Sequence, residues 1–139
     1  MTSFPSNLFY LKNKTSYLGI NNEKNELNCY TIICTQDQPT ISNLWYYDST
    51  NKCIKHHQTD GCIIQKYEGW MPYRSNVLLQ LPHDYDIEIN KLSFQYDSND
   101  LFTNINDKCY RLSLDNDKNV VLQEGMDGIS NEKWDIIEQ

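Results

Sequence analysis

Apolar residues in this 139-residue chain never run for more than a few positions before a turn former interrupts them. Short runs rich in β-branched and aromatic residues recur from end to end, separated by Asn, Asp, Gly, Pro and Ser. Strands joined by tight connections read this way. The runs fall near 8–12, 16–20, 29–34 and 43–47, then near 52–55, 61–66, 76–81 and 92–96, and finally near 101–105, 109–114, 119–124 and 133–137. No segment sustains the 3.6-residue period of a helix. Composition points the same way: the chain has no alanine, the best helix former. Asn and Asp are abundant instead, and their side chains bond the local backbone and favour turns. The expected class is all-β, with twelve strands.

Twelve strands in groups of four invite a search for an internal repeat. Asn43-Leu44-Trp45-Tyr46-Tyr47-Asp48 matches Leu92-Ser93-Phe94-Gln95-Tyr96-Asp97, and Glu132-Lys133-Trp134-Asp135 closes the chain. The aromatic positions 45, 94 and 134 are 49 and 40 residues apart. Asn28, Asn76 and Asn119 each open a third strand, and the second strands align as Ser16-Tyr17-Leu18, Gly61-Cys62-Ile63 and Lys108-Cys109-Tyr110. Three repeats, approximately 6–50, 51–99 and 100–139, predict one closed domain over 1–139 with pseudo-threefold symmetry. An open solenoid would need caps and usually more copies.

These residues resemble a β-trefoil of the ricin-B-type lectin family, which carries Gln-x-Trp on the last strand of each repeat and a Cys-Leu-Asp-Val-like second strand. Asn43-Leu44-Trp45, Leu92-Ser93-Phe94 and Glu132-Lys133-Trp134 are degenerate versions of the first motif, and the resemblance spans roughly residues 6–139. It implies a β-trefoil fold and carbohydrate binding. In sugar-binding members an Asp on the second strand accepts hydroxyl protons from galactose. The matching positions, near Gly19, Ile64 and Arg111, carry no acid. The ring that stacks on the sugar matches near Ile33, near Leu81 or Pro82, and at 122–124, where no aromatic stands. The usual galactose site is therefore missing from all three repeats.

Charge bounds the partners. Twelve basic and 19 acidic side chains give a net charge of −7, which argues against nucleic acid as a partner because that requires a basic face. It argues equally against docking on an anionic membrane. Runs such as Val77-Leu78-Leu79 are too short to span a bilayer. The N-terminal residues lack the pattern of a secretory signal, so the expected location is the cytoplasm, or release by a leaderless route. Five Cys at 29, 34, 53, 62 and 109 fit no common zinc spacing and are expected as reduced, mostly buried thiols. Asn13-Lys14-Thr15 is a formal glycosylation sequon but reads as a chance match without a signal.

Trp45, Phe94 and Trp134 fill one slot three times over, which reads as core packing. The candidate site lies instead in repeat two. Lys66-Tyr67-Glu68-Gly69-Trp70-Met71-Pro72-Tyr73-Arg74-Ser75-Asn76 is an aromatic loop, and its counterparts in the other repeats are polar. Trp70 and Tyr73 are expected as a platform for the apolar face of a sugar, with Asn76 supplying an amide. The connection Leu81-Pro82-His83-Asp84-Tyr85-Asp86 adds His83, Asp84 and Tyr85 as polar contacts. Weaker polar pockets are expected at 35–38 and 125–128, with Asn43 or Asn131 supplying an amide.

The plain alternatives are that Trp70 folds back as a lid and that 81–86 is an ordinary turn. His56-His57 with Asp60 hints at a metal, but neighbours on a strand face opposite ways, so a solvated strand end is expected. Asp115-Asn116-Asp117 opens like a calcium loop yet lacks the Gly and Glu that complete one. No nucleophile elbow, zinc-protease helix or phosphate loop is present. The expectation is a non-catalytic module with no metal and no cofactor. Its expected partners are glycans or glycoproteins, with a homodimer or a protein partner as the rival, as in a protease inhibitor or a subunit of a toxin or adhesion assembly.

Overall fold

The computed structural model describes residues 4–24, 29–65, 74–80, 92–105, 107–115, 117–124 and 133–139. Every expected run forms a strand. In chain order they are β1 (Phe9–Asn13), β2 (Ser16–Lys24), β3 (Tyr30–Thr35), β4 (Leu44–Asp48), β5 (Cys53–His56), β6 (Cys62–Gln65), β7 (Arg74–Gln80), β8 (Gln95–Asp97), β9 (Asp100–Ile105), β10 (Lys108–Leu114), β11 (Val120–Glu124) and β12 (Asp135–Glu138). The only helical element among the described residues is a single 3₁₀ turn, Ile41–Asn43.

Turn chemistry explains where the chain reverses. Ser98 and Asn99 both take positive φ, 51° and 67°, in the two-residue β8–β9 turn, as a hairpin with right-handed strand twist requires. At the β4–β5 turn the Asp48 carboxylate accepts from the backbone N–H of Thr50 and Asn51 and from the Asn51 amide. It also pairs with Lys55 Nζ at 2.9 Å. The Lys55 contact, helped by the Asn51 bonds and opposed by partial burial, holds the Asp48 carboxyl well below the usual carboxylate range.

All ladders are antiparallel. β1 pairs with β2, β4 and β12, β4 with β5, and β8 with β9. The hairpins β2–β3, β6–β7 and β10–β11 fold over one end, where β7 joins both β3 and β11. A barrel of six strands capped by three hairpins is a β-trefoil.

Ladder register reveals the threefold relation. Tyr30 faces Leu79 across the β3–β7 seam, and Ser75 faces Leu122 across β7–β11. Taken with the hairpin registers Leu18↔Cys34, Ile63↔Leu79 and Leu112↔Leu122, these ladders superpose when Tyr30, Ser75 and Lys118 are equivalent. It follows that Thr31, Asn76 and Asn119 share a position. The expected equivalence of Asn28, which lies outside the described residues, is therefore wrong by three residues. A second correction concerns β10. Trp45 donates its indole N–H to the Leu18 carbonyl (3.0 Å) and Trp134 donates to the Leu112 carbonyl (2.9 Å). Leu112, not Tyr110, therefore matches Leu18 and Ile63, a shift of two residues. On that register Ser113 replaces Arg111 beside Gly19 and Ile64, and still no acid stands there.

With the register set, the core is built in layers of three. Leu11, Ile54 and Leu101 form one, Leu18, Ile63 and Leu112 another, and Ile32, Val77 and Val120 a third, each residue no more than 3% exposed. Trp45, Phe94 and Trp134 complete the set at 0%, 2% and 0%, as core residues.

One layer is polar. Trp45 faces His56 across β4–β5, and by register Phe94 faces Thr103 and Trp134 faces Asn13. All three polar side chains are buried, and each reaches a carbonyl one to three residues before its aromatic neighbour. Asn13 Nδ2 donates to Lys133 O (2.9 Å), His56 Nε2 to Ser42 O (2.8 Å) and Thr103 Oγ1 to Ser93 O (2.9 Å). Each bond satisfies a buried polar group that would otherwise cost about 1–3 kcal/mol.

Candidate functional site

In repeat one the position assigned by resemblance to a sugar-binding acid is Gly19, and its surroundings leave no room for a side chain. A Cβ there would lie 2.6 Å from Asn43 Nδ2 and 3.2 Å from the Ser42 carbonyl. Asn43 closes the 3₁₀ turn begun by Thr40, whose backbone N–H donates to Asn43 Oδ1 at 3.0 Å. The Asn43 amide then reaches inward to the Tyr17 and Leu18 carbonyls and to Thr35 Oγ1, at 3.2–3.4 Å. Asn43 is 3% exposed, so the expected polar pocket at 35–38 gains no amide from it. Asn131 and residues 125–128 lie outside the described residues.

The expected repeat-two site falls largely outside as well. Trp70, Tyr73, His83, Asp84 and Tyr85 all lie outside the described residues, and Asn76 is seen only as backbone in β7, paired with Val121. What leads into the loop is visible. Gln65, the last residue of β6, carries a buried Oε1 with no hydrogen-bond donor among the described residues.

The histidine pair divides as strand geometry demands, but not as a solvated end. His57 is exposed and His56 is fully buried, edge-on to Trp45 with ring centroids 5.0 Å apart. A carbonyl can only accept, so His56 Nε2 carries the proton given to Ser42 O. Nδ1 then accepts from the Thr59 hydroxyl (3.0 Å), which itself accepts from Gly61 N–H (3.1 Å). Burial pushes the imidazole below its ordinary range; the Ser42 bond opposes this and the nearby His57 adds to it. Nearby, Tyr46 donates its hydroxyl to Asp60 Oδ1 at 2.7 Å. Burial first, and then Asp60, raise that phenol well above its usual value.

The Asp115 carboxylate is likewise engaged within its own turn. It accepts from the backbone N–H of Asp117 and Asn119 and from the Asn119 amide. Among the described residues no cluster of three His, Cys, Asp or Glu side chains is arranged to hold a metal ion. The five cysteines are thiols, with Cys29, Cys53 and Cys62 buried and Cys34 and Cys109 half-buried.

One outward-facing feature escaped sequence reading. Tyr10 and Tyr17 meet edge to face at 5.9 Å on the outer side of β1 and β2, with Lys12 Nζ 5.6 Å above the Tyr17 ring. Both rings are half-buried. The signal was present as alternation along Tyr10-Leu11-Lys12, where the even positions face out.

No protein-family model matches the chain, and no curated protein sequence matches it significantly. Solved structures do match its backbone. The β-trefoil lectin of the Vibrio vulnificus hemolysin/cytolysin, with N-acetyl-D-lactosamine bound, has a TM-score of 0.66 at 12% identity, covering 96% of this chain and 95% of that one. The C-half of an earthworm R-type lectin in complex with GalNAc gives 0.63 at 16% identity, covering 96% and 99%. A salivary protein of Culex quinquefasciatus from a cysteine- and tryptophan-rich family gives 0.68 at 13% identity, covering 99% and 96%. The fold is a β-trefoil. At these identities the likeness concerns the backbone, and it extends over nearly the whole chain.

Proposed function

We propose that the chain is a non-catalytic carbohydrate-binding module with a shallow glycan site formed mainly by repeat two. The observation that carries this reading is the backbone likeness to two lectins solved with a sugar bound. In this reading Trp70 and Tyr73 supply the platform, and Asn76, His83, Asp84 and Tyr85 the polar contacts. The partners are glycans or glycoproteins. Residues 1–139 act as one trefoil unit, and Asn43-Leu44-Trp45, Leu92-Ser93-Phe94 and Glu132-Lys133-Trp134 are degenerate Gln-x-Trp motifs of the ricin-B type. The matched indole bonds of Trp45 and Trp134 support that last assignment.

The closed space at Gly19 favours a second reading, a trefoil that binds a protein through the same aromatic loop. Fold alone does not fix function. The variant Trp70→Ala tests the first reading: glycan binding is lost while the unfolding temperature is unchanged. Equal loss of both would assign the ring a structural role and remove the platform.

A further inference from the structure

The cap of the trefoil has three seams, and they are not alike. β3–β7 and β7–β11 are joined by ladders, whereas among the described residues no ladder joins β11 to β3. The cause is a short turn. β3 begins at Tyr30 and β7 at Arg74, but β11 begins only at Val120, two residues past Lys118, the equivalent of Tyr30. Asp115 ties this turn closed, its carboxylate accepting from the backbone N–H of Asp117 and Asn119 and its own N–H donating to the Asn119 carbonyl, with Lys118 in the left-handed region at φ 67°. A residue in that conformation cannot extend the ladder. The third seam is left open as a cavity of about 240 Å³ between repeats one and three.

Its lining is chemically distinct. Lys14 and Lys118 line it, Thr15 and Ser16 bring hydroxyls and Gln36 an amide, while the Asn13 side chain beside them is turned inward to the Lys133 carbonyl. Neither ammonium forms an ion pair with a described residue, and neither acid of the turn, Asp115 or Asp117, lines the cavity. Two lysines lining one cavity on a chain of net charge −7 select an anion by local field rather than overall attraction. The hydroxyls and the Gln36 amide suit a ligand that also carries hydroxyl groups. The volume is below the range of about 300–1,000 Å³ for drug-sized ligands, and so fits a single small ring.

We infer that this seam pocket binds the carboxylate end of an acidic monosaccharide. The inference rests on the carbohydrate-binding reading, but on different residues from the repeat-two site. The test is to titrate the full chain with glucuronate, N-acetylneuraminate, galactose and inorganic sulfate, following backbone amide shifts. A double variant, Lys14→Gln with Lys118→Gln, is run alongside; both side chains are exposed, so folding is expected to survive. The acidic sugars should shift the amides of Thr15, Ser16 and Lys118, and the double variant should bind them about tenfold more weakly. Galactose and sulfate should leave those amides still. Equal shifts with sulfate would reduce the pocket to a bare anion patch, and equal shifts with galactose or no effect of the variant would also overturn the inference. Neutral glycans bound on an array with no shift at these three amides would defeat this pocket while leaving the repeat-two reading intact.

Discussion

At the scale of single residues, two contacts decide what the core tolerates. Gly19 gives its Cβ space to the Asn43 amide, which is itself fixed by bonds to two strands. Gly19→Ala should therefore destabilise the fold by about 1–3 kcal/mol, the usual cost of overpacking, read by denaturant unfolding. An unchanged midpoint would mean that Asn43 can swing away. His56 makes the second case. Its folded form favours the neutral ring, so the unfolded chain takes up a proton more readily. Above about pH 7 both states are neutral and nothing is lost. As pH falls through the ordinary imidazole value of 6.5, the unfolded state gains protons first and stability declines. Asp48 adds a separate loss: its depressed carboxyl stabilises the fold above the ordinary value of 3.8 and loses that contribution below it. Unfolding free energy measured from pH 8 to pH 3 should fall in two stages, and His56→Gln should flatten the first.

At the scale of elements, β4 and β12 are tied to β2 and β10 by the matched indole bonds. Trp134→Phe removes the indole donor to the buried Leu112 carbonyl and should cost about 1–3 kcal/mol in denaturant unfolding, and Trp45→Phe, which leaves the Leu18 carbonyl its Asn43 donor, should cost less. Costs near zero would show that water or backbone replaces the indole. All twelve strands were legible from sequence, because turn formers bracket short β-branched runs and the aromatic slot recurs. Register was less so. Cys109-Tyr110 looks like Cys62-Ile63 locally, yet the ladders and the indole acceptor align Arg111-Leu112 there. Likewise Asn28 resembles Asn76 and Asn119, but seam pairing puts Thr31 in their place. The buried layer of Asn13, His56 and Thr103 was invisible for the same reason. Each finds its acceptor outside its own strand, 120, 14 and 10 residues away, and nothing local marks it as interior.

At the scale of the molecule, threefold symmetry organises the core and is broken at the surface, where function is expected. The apolar layers repeat almost residue for residue. The hairpin connections differ, being long and aromatic in repeat two and tight in repeat three. That asymmetry was readable, and it points to residues 66–76 and 81–86; their side-chain arrangement depends on loop conformation, which no periodic pattern encodes. β1 pairs with β12 across almost the full chain length, so the account also expects a single cooperative unfolding transition. Two resolved steps in calorimetry would divide the unit. The most direct test of the central claim is a glycan array probed with the full-length protein. The account predicts binding to a defined class of glycan. A blank array from folded protein, alongside stoichiometric inhibition of a protease or capture of a protein partner, would contradict it.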